Sequence, residues 1–333
     1  MKTPQSLLPD LSTLTDRLTV GLDGAAGNGR PVRVLKRDLP RFMSTFPNEI
    51  VTCQLPDGRK RRVFIKYGGG LSHDSFGHRG DLPYETEVYR RVLRPLRDFR
   101  PKCLGAHTDP ATGDTSLFLE YIYGNERLSD MSAKRSTSQR HALAQTARWL
   151  AGFHADQELR LHDPALSFLK RYDAAYYRGW AERTLEFTRP LQKRYPWLRE
   201  LGKVGDKWFS PLLSAAPTVI HGEFYSKTVL VRGQKLFMVD WESAAIAAAE
   251  IDLAALTEGK SWPAKVVSRC EDGYQRARWP EGVPAGFQRT LAAARIYLQF
   301  RWLGDRPEWA KREKTLWRYD YLRKEAKRLQ LID

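Results

Sequence analysis

Thr218-Val219-Ile220-His221-Gly222-Glu223-Phe224-Tyr225-Ser226-Lys227-Thr228-Val229-Leu230-Val231 and, after a turn at Gly233, Leu236-Phe237-Met238-Val239-Asp240-Trp241-Glu242 form an island of strand character in a half otherwise patterned for helix. The apolar runs 218–220, 229–231 and 236–239 read as short strands. Glu223 lies in the loop after the first, and Asp240 follows the apolar run that ends the hairpin. A carboxylate just past a short apolar strand is held by a rigid scaffold while its head stays available. Two acids set this way suit phosphoryl transfer. One orients or deprotonates a hydroxyl, and the other holds Mg²⁺ against nucleotide phosphates.

Toward the N-terminus the pattern changes to an antiparallel meander. Residues 32–35, 49–55 and 62–67 read as strands, the last two joined by a tight turn at Pro56-Asp57-Gly58. Lys66 stands at the end of the third strand, and a Gly- and His-rich loop follows over 68–80. Residues 84–96 read as a helix, with Glu85, Val88, Tyr89 and Val92 at helical spacing. Strands are expected over 102–107 and 116–121, the second shortly after the turn Asp109-Pro110-Ala111-Thr112-Gly113. Residues 1–30 read as an irregular or partly helical lead-in ending in the loop Asp23 to Gly29. Downstream, Leu143, Ala147, Leu150 and His154 mark a buried helical stripe. The expected organisation is a lead-in over 1–30, a sheet with one packed helix over 31–125, and a mainly helical region over 126–333.

Lys66 and Glu85 complete the chemistry the two acids begin, because a lysine neutralises phosphate oxygens and a carboxylate partner fixes where its ammonium points. Each residue also has an ordinary structural reading. A strand-end lysine snorkels, a helix glutamate is solvated, and a histidine such as His221 can be a satisfied core residue. Their order along the chain and their matching contexts favour the functional reading.

Composition narrows the classes further. Apolar residues make up 42% of the 333 residues, which excludes wholesale disorder. Cys53, Cys103 and Cys270 form no C-x-x-C pair, so neither a zinc site nor a disulfide framework is indicated, and a reducing, cytosolic compartment is expected. No apolar stretch reaches the ~18 residues that span a bilayer. The net charge of +16 has two readings, attraction of nucleic acid, anionic lipid or a phosphorylated ligand, or a scatter of basic side chains over solvated helix faces. The run from Lys311 to Arg328, interrupted by Glu313, Asp320 and Glu325, illustrates the second. No nucleic-acid-binding motif is present.

Taken together, these motifs resemble the aminoglycoside phosphotransferase and choline kinase superfamily. The resemblance implies an α+β, two-lobed protein-kinase-like fold. The family's catalytic loop, His-Gly-Asp, four residues, then Asn, is matched by His221-Gly222-Glu223 through Thr228. Its metal-binding aspartate is matched by Asp240, and its loop-bracing aspartate by Asp252 in Asp252-Leu253-Ala254. Leu150-Ala151-Gly152-Phe153-His154 resembles the helix end before the catalytic strand. Phe64-Ile65-Lys66 resembles the phosphate-binding lysine strand, and Glu85-Thr86-Glu87-Val88-Tyr89 the helix carrying its partner. Leu117-Phe118-Leu119-Glu120-Tyr121 resembles the hinge that grips adenine, which implies backbone contacts from Glu120, Tyr121 and Ile122. The implied cofactors are ATP and Mg²⁺, and the implied partner is a small molecule with a hydroxyl acceptor.

Three departures bear on that chemistry. Glu223 stands where the family has Asp, and one extra methylene moves the carboxylate by roughly an ångström, a scale to which catalysis is sensitive. Thr228 replaces the metal-binding Asn with a shorter-reaching hydroxyl. The turn over 41–47 lacks the glycine-rich strip, leaving Ser44 and Thr45 to cap phosphates, or the turn is simply a surface loop. Lys227 either offsets phosphate charge or points to solvent. The leading expectation is an ATP-dependent kinase of a small-molecule hydroxyl, with Glu223 in the base position. The alternative is a pseudokinase-like nucleotide-binding module without transfer.

Overall fold

The computed structural model describes residues 8–22, 31–41, 45–69, 75–96, 98–131, 136–258 and 262–333. In chain order its elements begin with helix α1 (Leu11–Gly21), capped by the Asp10 carboxylate, which accepts from the Thr13 N–H at 2.9 Å. Strands β1 (Arg33–Asp38), β2 (Asn48–Gln54) and β3 (Lys60–Tyr67) follow. Helix α2 (Leu82–Glu87) then widens into a π-helical turn, Val88–Leu93, before strands β4 (Cys103–Thr108) and β5 (Thr115–Glu120). The two-residue β6 (Glu126–Arg127) leads to helix α3 (Ser136–Leu159), β7 (Lys170–Arg171) and helices α4 (Ala174–Phe187), α5 (Trp197–Lys203) and α6 (Ser210–Ser214). Strands β8 (Pro217–Ile220), β9 (Val229–Arg232), β10 (Lys235–Met238) and β11 (Ala245–Ala248) come next. Helices α7 (Glu250–Leu256), α8 (Ala264–Arg278), α9 (Phe287–Asp305), α10 (Pro307–Lys311) and α11 (Trp317–Arg328) complete the chain.

The chain divides into two compact units. The first holds residues 1–126 together with 230–243, and the second holds 127–229 and 244–333. Residues 230–243, which the sequence places within the helical region, thus group with the N-terminal unit. One tie is the Met238 N–H, which donates to the Phe99 carbonyl at 2.8 Å.

The first unit is built on a five-stranded antiparallel sheet in the order β1-β2-β3-β5-β4. Successive strand residues face opposite sides. Val51, Cys53 and Leu55 of the second strand region, and Val63, Ile65 and Tyr67 of β3, therefore line one face and close over Leu14 and Leu18 of α1. Gly21 lets α1 end close to β4, since a Cβ there would meet the Ala106 carbonyl oxygen at 2.8 Å. Within the expected lead-in over 1–30, residues 11–21 are in this way a helix that covers the sheet. Lys66, between Ile65 and Tyr67, faces away from that core. It is buried nonetheless, because β3 is the central strand, with Lys66 paired to Asn48 on one side and Leu117 on the other.

The second unit is helical with a small sheet, β7-β11-β8, in which β7 runs parallel and β8 antiparallel to β11. Helix α9 is its axis, buried along nearly all its length, with α4, α7 and α11 packed around it. Such a helix carries no amphipathic signature, because every side meets protein. Tyr172, Tyr176, Tyr177, Trp180 and Tyr297 form one buried aromatic cluster, tied by the Tyr176 and Tyr297 hydroxyls at 2.8 Å. No helix among the described residues is long and apolar enough to cross a membrane.

Candidate active site

In the first unit three sequence-selected residues meet. The Lys66 ammonium lies 2.9 Å from both oxygens of Glu85 and 2.8 Å from Asp240 Oδ1. Its three hydrogens are thereby matched to three acceptors. Glu85 Oε1 also accepts from the backbone N–H of Trp241 at 3.1 Å, so the helix acid grips the lysine and the hairpin end together. Lys66 and Glu85 are buried, whereas the Asp240 side chain keeps 38% of its surface exposed. Burial pulls the Lys66 ammonium down, but the carboxylates of Asp240, Glu85 and Glu242 outweigh it and hold the group well above the ordinary lysine range. Asp240 adopts a left-handed backbone, φ +64°, a conformation that a short polar side chain tolerates better than most.

The Lys66 ammonium faces two carboxylates, and the partly exposed Asp240 is the one that a cation can reach. This donor set fits Mg²⁺, which is commonly held by one or two carboxylates with the remaining positions taken by water and phosphate. No group of three or more His, Cys, Asp or Glu suited to a metal occurs among the described residues. Glu242 is committed elsewhere, accepting from the Thr45 hydroxyl at 2.9 Å with Arg79 Nε at 3.4 Å. Thr45, expected to cap phosphates, thus spends its hydroxyl hydrogen on Glu242, and Ser44 lies outside the described residues.

Glu120, expected with Tyr121 and Ile122 to contact adenine, ends β5, and the other two follow directly. The Glu120 N–H donates to the Lys102 carbonyl at 2.9 Å, and its carboxylate accepts from the Lys102 N–H at 3.2 Å. Arg62 lies over the Tyr121 ring at 4.5 Å, and the Ile122 carbonyl accepts from the Asn125 side-chain amide.

The second unit holds the loop that carries Glu223. Asp252, fully buried on α7, accepts from the N–H groups of His221 at 2.6 Å and Gly222 at 2.9 Å. His154 Nε2 lies 3.3 Å from the same carboxylate, and its Nδ1 is 2.8 Å from the Tyr274 hydroxyl. Burial lowers the His154 pKa, against the Asp252 hydrogen bond that raises it. His221 Nδ1 accepts from the Glu223 N–H at 3.3 Å, turning the ring inward as a loop brace. The Thr228 hydroxyl donates within the loop, to the Tyr225 carbonyl at 2.9 Å. Lys227 lies over the Tyr225 ring at 5.4 Å and the Trp302 ring at 6.0 Å.

Glu223 does not stand alone. Arg301, buried on α9, donates to Glu223 Oε1 at 2.8 Å and to the Tyr225 hydroxyl at 2.6 Å. Trp302 Nε1 donates to the same hydroxyl at 2.7 Å. Burial acts to lower the Arg301 pKa, but Tyr225, Glu223 and other neighbours hold it well above the ordinary range. The extra methylene of Glu223, relative to the family's Asp, lengthens its reach toward this guanidinium. Sequence reasoning missed Arg301, because nothing in the spacing of α9 marks one buried arginine as facing a loop 78 residues earlier.

A model of the phosphotransferase enzyme family matches residues 71–289 of the chain. Among solved structures, a choline kinase from Cryptosporidium parvum Iowa II shares 16% identity at a TM-score of 0.58, covering 97% of this chain and 98% of its own. The choline kinase LicA from Streptococcus pneumoniae shares 15% identity at a TM-score of 0.54, covering 90% of this chain and 92% of its own. A mutant aminoglycoside 2′-phosphotransferase-IIIa in complex with GDP shares 12% identity at a TM-score of 0.57, with 96% of each chain covered. No curated protein matches the chain. At these identities the solved structures show a common fold, and the family match spans well over half of the sequence. The chain belongs to the phosphotransferase enzyme family.

Proposed function

We propose that the protein transfers the γ-phosphoryl group of ATP to a hydroxyl of a small molecule. The observation that carries this reading is the Lys66 ammonium, buried and bonded to both Glu85 and the partly exposed Asp240. A structural ion pair needs one acid per lysine; the second acid, partly exposed, can answer to a cation and phosphates. In this reading Lys66, fixed by Glu85, braces phosphate oxygens, and Asp240 would hold Mg²⁺. The ion supplies charge neutralisation at the phosphates when bound. Backbone groups at Glu120 to Ile122 take the adenine.

Glu223 orients the acceptor hydroxyl. Its carboxylate is held in place by Arg301, which suits orienting a hydroxyl. A loose phosphoryl-transfer transition state asks mainly for positioning and charge neutralisation. Thr228 contributes chiefly as a loop clasp, with its oxygen lone pairs the remaining route to a metal.

The same Arg301 contact, together with the committed Thr228 hydroxyl, favours one second reading, a nucleotide-binding module that transfers nothing. An ATP-consumption screen over hydroxylated metabolites, with Glu223→Gln as control, separates the two. Turnover abolished in Glu223→Gln with nucleotide affinity nearly intact is expected. Turnover unchanged in that variant removes Glu223 from the mechanism, and no consumption on any acceptor, with ATP still bound, favours the module.

A further inference from the structure

The second unit holds a half-open cavity of about 460 Å³ lined by α6, the start of α7, the end of α8 and the start of α9. It is remote from Glu223. Phe287 in its wall and Arg301 at Glu223 are fourteen residues apart on the continuous α9, which is roughly 20 Å at 1.5 Å per residue. Much of the wall is apolar, including Trp279 and Phe287, whose rings meet edge to face at 5.3 Å.

Into this wall the fold places Glu250, the first residue of α7, with 5% of its surface exposed. Its carboxyl accepts from its own backbone N–H, and among the described residues no side chain donates a hydrogen bond to it. Arg278 lines the same cavity, but its guanidinium donates to Glu158 and lies over the Trp279 ring at 5.6 Å. Burial pushes the Glu250 carboxyl up to about 7, the mark of an acid without an adequate counter-charge. A buried acid without an adequate counter-charge costs the fold stability unless something completes it.

We infer that this cavity is a second ligand site, separate from the phosphoryl-transfer residues, and that it takes a small organic ammonium ion carrying an aromatic or apolar group. The ammonium forms a charge-assisted hydrogen bond with Glu250. The apolar body packs against Trp279 and Phe287, where an aromatic face also favours the positive charge. The volume lies in the ~300–1,000 Å³ range of small-molecule pockets. Arg289, exposed in the lining, is the group that would favour an anion in its place.

Isothermal titration of the whole protein at pH 8 with benzylamine, benzyl alcohol and benzoate tests the site. Benzylamine is expected to bind one site per chain. Glu250→Gln is expected to weaken it at least tenfold, to the level of benzyl alcohol, and benzoate is expected to bind no better than the alcohol. Ala216→Trp, a substitution at an exposed lining residue, should fill the cavity and abolish binding with the circular dichroism spectrum unchanged. If Glu250→Gln does not fold, the Ala216 variant and the benzoate comparison carry the test. Benzylamine binding unaffected by either substitution, benzoate binding in preference, or no benzylamine heat at millimolar concentration would each overturn the inference.

Discussion

Arg301 and Glu223 pair within 2.8 Å, with both side chains largely withdrawn from water. Removing one member of such a pair strands the other, at a cost of about 3–5 kcal/mol. Arg301→Met is therefore expected to lower the unfolding free energy by about 3 kcal/mol, read as a lower urea midpoint at unchanged slope. Glu223→Gln should cost less, since the neutral amide oxygen still accepts from the guanidinium. Equal losses in the two variants would show that the pair is not what holds the loop. The contrast between these residues also marks what could be read from sequence. Lys66, Glu85 and Asp240 each sit at a recognisable place on a strand or helix, so their types and order stood out. Arg301 lies in a helix buried on all sides, where a 3.6-residue pattern points nowhere, and a basic residue in a chain of 55 Lys and Arg draws no notice.

Helix α7 carries two buried acids of opposite character. Asp252 is satisfied by the His221 and Gly222 N–H groups. Asp252→Ala orphans two buried backbone donors, at about 1–3 kcal/mol each, and should both destabilise the protein and loosen hydrogen-exchange protection at those amides. Glu250 has a raised pKa of about 7 against an ordinary 4.5. The folded state therefore holds a proton that the unfolded chain releases, and stability falls as pH rises from about 4.5 to about 7. The nearby Arg278 and Glu158 pair with each other and oppose one another in their effect on the group. Glu250→Gln should stabilise the apo protein at pH 8 by up to about 3 kcal/mol, with the gain vanishing near pH 4.5, as measured by denaturant titration across pH. A pH-independent difference would locate the effect in packing. Element boundaries were legible where apolar alternation was strong, as in β2 and β3. The strand β11 was not, because Ala245-Ile246-Ala247-Ala248 holds one β-branched residue among three alanines and no aromatic one. The π-helical turn after α2 follows a helical spacing in sequence, and a single-residue widening leaves that spacing nearly intact.

The basic residues behind the net charge of +16 do not all lie on solvated helix faces. Several basic residues lie in the interior. Arg278, Arg295, Arg301 and Arg318 are buried and paired with acids, and Arg318, read from sequence as part of a solvated face, lies 4.4 Å from the centres of both the Trp302 and Trp317 rings. Each of these pairs is neutral, so the excess of +16 rests on the remaining basic residues, and one cationic group, Lys66, belongs to the proposed nucleotide site. That assignment predicts a graded thermal response. ATP at a hundred times its dissociation constant contributes about 2.7 kcal/mol. Two compact units permit two unfolding transitions, so the shift is read on each separately. Wild-type protein should be stabilised by ATP and stabilised further when Mg²⁺ is added. Asp240→Asn should keep the first increment and lose the second, since it removes the exposed charge that answers to the ion. Lys66→Met should lose both, leaving two acids with no ammonium to hold them. An Mg²⁺ increment that survives in Asp240→Asn would place the ion on other groups, and the partly exposed second acid beside Lys66 would then need a different explanation.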